Sequence, residues 1–272
     1  MDSIRSTGIK SLYKFKTFDK KNHYQDLLNN VLYFPSPREL NDPFDSKIPI
    51  RYDLCTKQEL VEIVKKFETV KYDKSPRKER RKTVFQKVKE LQQELKSNPE
   101  RIVKRMEKYI ENTIGIFSFT EKLDNLLLWS HYADSHKGFC VEFSAPKLNN
   151  LMVEVFLKEI DKAFIFKVHY QNEYPIVHPI KTSYEDRLNL QFCTKSKNWE
   201  YEKEWRIIFM NYKKKAEIPS NIISNIYLGL LADESNITTS IAILKKSNPN
   251  IGLYKAVKKK NAFGLHFEKL IL

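Results

Sequence analysis

"KNWEYEKEWRIIF", Lys197–Phe209, decides how the rest of the chain is read. Three glutamates, two tryptophans and an arginine stand around the start of a short apolar run. Alternation from Glu200 to Ile208 predicts an extended strand, in which residues two apart share a face. On that reading Glu200, Glu202, Glu204 and Arg206 line one side, and Tyr201, Lys203, Trp205 and Ile207 the other. Like charges on one face repel, and a single arginine neutralises only one of them. Two explanations follow. The glutamates form an exposed strand end paired with lysines from elsewhere, or the strand delivers a carboxylate into a cleft. There it would steady developing positive charge or accept a proton. Spacing leaves both open.

Upstream of this stretch, "IKSLYKFKTFD" predicts an opening strand over 10–17. A short helix "YQDLLNN" and a second strand "VLYFPS" follow. "PRELNDPFDS" is a turn-rich loop, because Asn41 and Asp42 bond their own backbone and Pro43 biases Asp42 away from helix. Leu60, Ile63, Val64 and Phe67 then fall at helical spacing. The interval 56–112 is predicted as a basic helical insertion within one α+β domain spanning 1–272, with "PRKERRK" at its centre. "SNPE" restarts a helix, Ser97 or Asn98 capping and Pro99 in first position. "IGIFSFT" and "FCVEF" are predicted strands, separated by a helix over Leu126–Tyr132 that Asp124 caps and Gly138 closes off. Strands at "MVEVF" and "AFIFKVHY", a helix over 184–195 and a strand at "IISNIYLGL" come next. A helix over 236–244 and the strands "IGLYKAV" and "AFGLHFEKL" complete the series. The order lacks a regular crossover rhythm, so the fold class predicted is α+β with a mixed or antiparallel sheet.

Composition narrows the function classes. Of 272 residues, 41% are hydrophobic and 12% aromatic, enough for a packed core and against global disorder. With 6 glycines and neither GxxxxGKS/T nor GxGxxG, P-loop and dinucleotide-fold readings lose support. Forty-eight basic against 34 acidic residues give +14, which favours polyanionic partners, nucleic acid first among them, or else reflects a solvated lysine-rich surface. The 3 cysteines are scattered with no CxxC, as suits a reducing cytosol. No apolar run approaches a membrane span, so a cytoplasmic protein with no membrane partner is expected.

"WSHYADSHKGFCVEF" brings Trp129, His131, Tyr132 and His136 close in sequence. The two histidines are five apart, not the four that places two ligands on one helical face, and no fourth zinc ligand accompanies them, so no metal is assigned. Trp129 and Tyr132 at helical spacing pack a helix onto a sheet, while Tyr132 or His131 can lend a polar end to a cleft. No serine or cysteine elbow accompanies the histidines, which leaves a hydrolase triad without support.

Taken in order, "SLYKFKTF", "LYFPSPRELNDPFD", "IGIFSFTEKLDNLLLWSHYADSHKGFCVEF", "KSKNWEYEKEWRIIF" and "ISNIYLGL" form a set. That set resembles the bacterial family called domain of unknown function 2971, with small departures at Phe15, Leu40 and Asp45. The resemblance implies one shared cleft built from Tyr13, Asn41, Asp42, Trp129, His131, Tyr132, His136, Glu202, Glu204 and Arg206. More distantly, the order of elements is similar to DarT-like ADP-ribosyltransferases. That likeness implies an ADP-ribosyltransferase-like fold and an enzyme acting on nucleic acid or protein, with NAD as the cofactor. In it Tyr13 lies along the nicotinamide or ribose, and Glu204 or Glu202 stabilises the departing-group charge, with His131 nearby. Arg38 or Arg206 holds the pyrophosphate. Two alternatives remain open. One is a non-catalytic module of a phage-defence or stress locus that binds nucleic acid or a nucleotide. The other is a metal-dependent nuclease using Asp42, Asp45, Glu142 and Glu204.

Overall fold

The computed structural model describes residues 4–18, 23–71, 76–157, 163–210 and 215–271. In chain order the helices are α1 Ile4–Thr7, α2 His23–Leu28, α3 Lys57–Lys71, α4 Arg77–Ser97, α5 Pro99–Thr113, α6 Leu126–Tyr132, α7 Ala145–Leu157, α8 Tyr184–Phe192 and α9 Glu234–Ser247. The strands of the first half are β1 Ser11–Lys16, β2 Val31–Tyr33, β3 Ile114–Thr120, β4 Phe139–Ser144, β5 Ala163–Lys167 and β6 His169–Gln171. Those of the second half are β7 Thr194–Ser196, β8 Glu204–Met210, β9 Lys215–Glu217, β10 Ile223–Leu228, β11 Gly252–Lys258 and β12 Leu265–Leu270. Two compact units emerge. One comprises Met1–Ser36, Thr113–Val168 and Lys197–Leu272; the other comprises Pro37–Asn112 and His169–Ser196.

The first unit is built on an eight-stranded sheet in the order β12-β11-β10-β4-β1-β3-β8-β5. Only β10 and β11 run parallel, so the sheet is mixed and the class is α+β. Strand β3 reads as a near-continuous apolar run because both its faces are covered: Phe117 and Phe119 turn to one core and Ile116 is buried on the opposite side. The larger core, with Leu12, Val141, Phe143, Ile207 and Leu253, lies on one face. A smaller cluster of Phe15, Leu128, Trp129, Cys140 and Tyr227 lies on the other, where α6 packs.

Strand β1 joins β4 through six paired residues but β3 through the single pair Tyr13–Thr120. The register there is informative. Gly252, Asn225, Glu142, Tyr13, Thr120 and Glu204 lie in one row across neighbouring strands. Strand alternation puts them on the face of the smaller cluster, with Arg206 two residues beyond Glu204 on that same side.

Several local expectations changed. The "MVEVF" segment is helical, within α7, because Ala145, Leu148 and Met152 recur at helical spacing and all three are buried. Packing on that stripe outweighs the β-propensity of its valines. Asn125, not Asp124, caps α6; its side chain accepts the N–H groups of Leu127 and Leu128 while its amide donates to the Tyr201 carbonyl. The helix expected over 184–195 ends at Phe192, and Thr194–Ser196 leaves it to pair in parallel with β6.

In the second unit α3 begins with a reciprocal cap: Thr56 N–H donates to Glu59, whose own N–H donates to the Thr56 hydroxyl. Leu60, Ile63 and Val64 then meet Val84 and Val88 of α4 in a small core. Pro99 occupies the first position of α5, where its missing N–H costs nothing.

Candidate functional site

Residues 197–209 do not form one strand. Lys197–Glu202 is a 3-10 helix, Lys203 has φ +45°, and β8 starts only at Glu204. A left-handed residue reverses the local twist, so the expected row of three glutamates breaks at Lys203. Glu200 stays near the surface with Lys203 at 3.2 Å. Glu202 is buried and its Oε1 accepts the Tyr132 hydroxyl at 2.6 Å. Glu204 and Arg206 do share a face: Arg206 Nε donates to Oε1 at 2.7 Å and Nη2 to Oε2 at 2.9 Å. At 5% and 1% exposure the pair is a buried, bidentate one, which holds the carboxylate charged and fixed in direction. The two Glu–Lys–Glu neighbours thus diverge because the chain turns between them.

Two strands away along the row stands Tyr13, about 10 Å from Glu204 by strand spacing. Thr120 lies between them, and its hydroxyl donates to the Glu202 carbonyl at 2.5 Å, which ties the 3-10 turn to the sheet. On the other flank of Tyr13 is Glu142. Its carboxylate accepts Ser11 Oγ at 2.5 Å, Asn225 Nδ2 at 2.6 Å and the Tyr227 hydroxyl at 2.8 Å. Three donors around one buried carboxylate satisfy its oxygens and fix its orientation. The charge also acts on its neighbours. Burial, then Glu142, pushes Tyr13 up to about 12, and burial with the Glu142 hydrogen bond raises Tyr227 as well. Tyr227 meets Tyr13 edge-on and stacks on Tyr254 at 5.1 Å. Ser11, Asn225, Tyr227 and Tyr254 were absent from the expected site, and Glu142 entered only the nuclease alternative. A lone carboxylate inside "FCVEF" and the alternating Asn225 and Tyr227 of "SNIYL" were the signals available.

Lys14, one residue past Tyr13, alternates to the opposite face, where its ammonium lies 5.0 Å from the Phe117 ring centre. The residue as a whole is half-buried, yet loss of water around the charge, with Lys16 beside it, brings its pKa down to about 7.

The "WSHYADSHKG" motif works largely as a helix exit. Asp134, Ser135 and His136 have φ of +45°, +51° and +68°, and the N–H groups of Ser135 and His136 return to the carbonyls of Ser130 and Trp129. Trp129 is fully enclosed, donates Nε1–H to the Leu123 carbonyl and stacks with His136. Burial lowers the His136 pKa, and its Nε2 lies 3.3 Å from Ser130 Oγ. His131 is exposed, edge-on to Tyr132. The motif therefore brings Tyr132 to Glu202 and sets Trp129 and His136 together beneath the exit.

Arg38, Asn41 and Asp42 belong to the second unit. Arg38 and Asn41 are exposed, and Asp42 accepts the Phe44 N–H at 2.9 Å, the turn role its type suits. Asp45 is buried with Lys195 at 3.7 Å. Cys55, Glu59 and His178 gather their ligand-type atoms within 4.8 Å of one another. His178 Nδ1, however, accepts the N–H groups of Ile180 and Lys181. On a neutral ring the proton then sits on Nε2, which lacks the lone pair a metal needs.

Residues 128–207 match a family model described as Protein of unknown function (DUF2971), the segment that carries both "WSHYADSHKG" and "WEYEKEWR". No curated protein and no solved structure matches the chain. Among the described residues no helix is long and apolar enough to cross a membrane.

Proposed function

We propose that this chain, a DUF2971 protein by its residues 128–207, is an ADP-ribosyltransferase-like enzyme that uses NAD on the Tyr13 face of its large sheet. The observation that carries the reading is the row Tyr13–Thr120–Glu204, a first-strand aromatic and a late-strand carboxylate on one face two strands apart. Tyr13 offers a ring against which a nicotinamide or ribose can lie. Glu204 supplies a fixed negative charge to the ribose carbon as the glycosidic bond breaks and nicotinamide leaves with the bonding electrons. Its guanidinium committed to Glu204, Arg206 orients that carboxylate and does not grip the pyrophosphate. Cleavage of this kind needs a placed charge more than a mobile base, which is what a bidentate pair provides.

The test is release of nicotinamide from labelled NAD with DNA, RNA and protein acceptors in turn. Wild type releases it with at least one acceptor, and Glu204→Gln lowers the rate by about 100-fold. Circular dichroism confirms that the variant is folded at the assay temperature. No release with any acceptor sinks the enzymatic reading.

A second reading, nucleotide binding without turnover, is favoured by one observation: both oxygens of Glu204 and both of Glu142 already accept hydrogen bonds from the protein. Calorimetric binding of NAD without nicotinamide release supports that alternative. The nuclease reading fares worse, since Glu142 and Glu204 stand three strand spacings apart, about 14 Å. Carboxylates sharing a metal pair need far closer approach.

A further inference from the structure

Helix α4 carries a groove of about 1090 Å³ whose charged lining is entirely cationic: Lys57, Arg77, Lys78, Arg81, Lys82 and Lys89. Phe85, 62% exposed, lies among them. We propose that this groove binds single-stranded nucleic acid, its cations on the phosphates and Phe85 stacked on an unpaired base. The inference stands apart from the ADP-ribosyl-transfer reading and survives its failure.

The helix does not need this stripe for its own stability. Lys78, Lys82, Phe85 and Lys89 follow each other at helical spacing, and the pairs Arg77–Arg81 and Lys78–Lys82 set like charges four apart, which destabilises a helix. What holds α4 is the contact of Val84 and Val88 with α3, and Val88 also lines the groove beside the cations. A solvated helix usually interleaves signs, as α5 does with Glu100, Arg101, Lys104, Arg105, Glu107 and Lys108. None of the three acids of α4 lines the groove: Glu94 engages Arg101 and Arg105, Glu90 accepts the groove residue Gln86, and Glu79 stands in the first turn. Among the described residues none of the six groove cations is in an ion pair. Such a stripe repels itself until a polyanion covers it, with release of that polymer's counterions. Phe85 chooses among polyanions. An aromatic ring left in water between cations offers a stacking platform that an unpaired base fills and a base-paired duplex does not.

Fluorescence anisotropy of the full-length chain with labelled oligothymidine, a duplex of equal length and heparin tests this over a range of salt. Wild type prefers the single strand, with a log–log salt slope of about −4 if all six phosphate contacts form. Arg81→Glu with Lys82→Glu weakens binding about tenfold or more at low salt and flattens the slope by about 1 to 2. Phe85→Ala weakens oligothymidine about fivefold and leaves heparin unchanged. Lys245→Glu with Lys246→Glu, an equal charge change on exposed positions of α9, alters affinity less than about twofold. The proposal is overturned if the Arg81/Lys82 variant binds like wild type. It is equally overturned if duplex and heparin match oligothymidine while Phe85→Ala changes nothing, or if anionic vesicles capture the chain in preference to the oligonucleotide.

Discussion

At the scale of single residues, the buried Glu204–Arg206 pair dominates. Its charges were removed from water, and that penalty is offset only while both partners remain. Arg206→Met, which strands a buried carboxylate, is expected to cost about 3–5 kcal/mol in urea unfolding. Adding Glu204→Gln to that variant removes the stranded charge and recovers part of the loss. A double variant no more stable than Arg206→Met would show that the two groups do not act as a pair. Glu142 presents the same logic with neutral donors: a carboxylate flanked by Ser11, Asn225 and Tyr227 keeps Tyr227 protonated and donating. How the glutamates would be placed was only half legible. That Glu204 and Arg206 share a face followed from alternation, whereas their burial did not. Glu202 with Tyr132 did not, because a left-handed Lys203 is set by the tertiary packing of the turn, and lysine has no intrinsic preference for that conformation.

At the scale of elements, the exit from α6 is the most constrained joint. A Cβ on Gly138 would lie 2.1 Å from the Lys16 carbonyl oxygen and 3.0 Å from the Ala133 backbone, and one on Gly229 would lie 2.1 Å from the His136 carbonyl oxygen. Main chain cannot yield as a flexible side chain does. Gly138→Ala is therefore expected to destabilise the protein by at least about 2 kcal/mol, seen as a lower urea midpoint at unchanged slope. Helix positions were otherwise readable. Apolar spacing located α3, and Pro99 marked the start of α5, since both depend on residues within a turn of each other. Helix α7 was misread because its valines favour strand locally, and only the core facing Leu148 and Met152 makes helix the better burial.

Across the molecule, buried titrating groups give stability a definite pH course. Lys14 falls from 10.5 to about 7 on folding, so between those values the unfolded chain keeps a proton the native state has released, and stability rises with pH. Lys255, lowered by burial, acts with the same sign. Tyr13, raised from 10.0 to about 12, acts in the opposite sense: above its unfolded value the native state keeps a proton that the unfolded chain loses, and stability falls. The melting temperature should climb from pH 7 to about 9, where the Cys55 and Cys140 thiols, raised from 9.0 by burial, begin to act in the sense of Tyr13; the climb is reduced in Lys14→Met. An identical climb in that variant removes Lys14 as its source. The surplus of +14 was plain from composition, and most strand-forming runs and the basic run "PRKERRK" from the order of residues, because charge and alternation are properties of neighbours. The partners of the buried carboxylates were not. Glu142 meets Ser11 and Asn225 across 131 and 83 positions, and Tyr13 shares a row with Glu204 only through the registers of β1, β3 and β8. A shift of one residue in any of those pairings would turn these side chains to the opposite face, and register is selected by burial of the whole sheet, which no local pattern encodes.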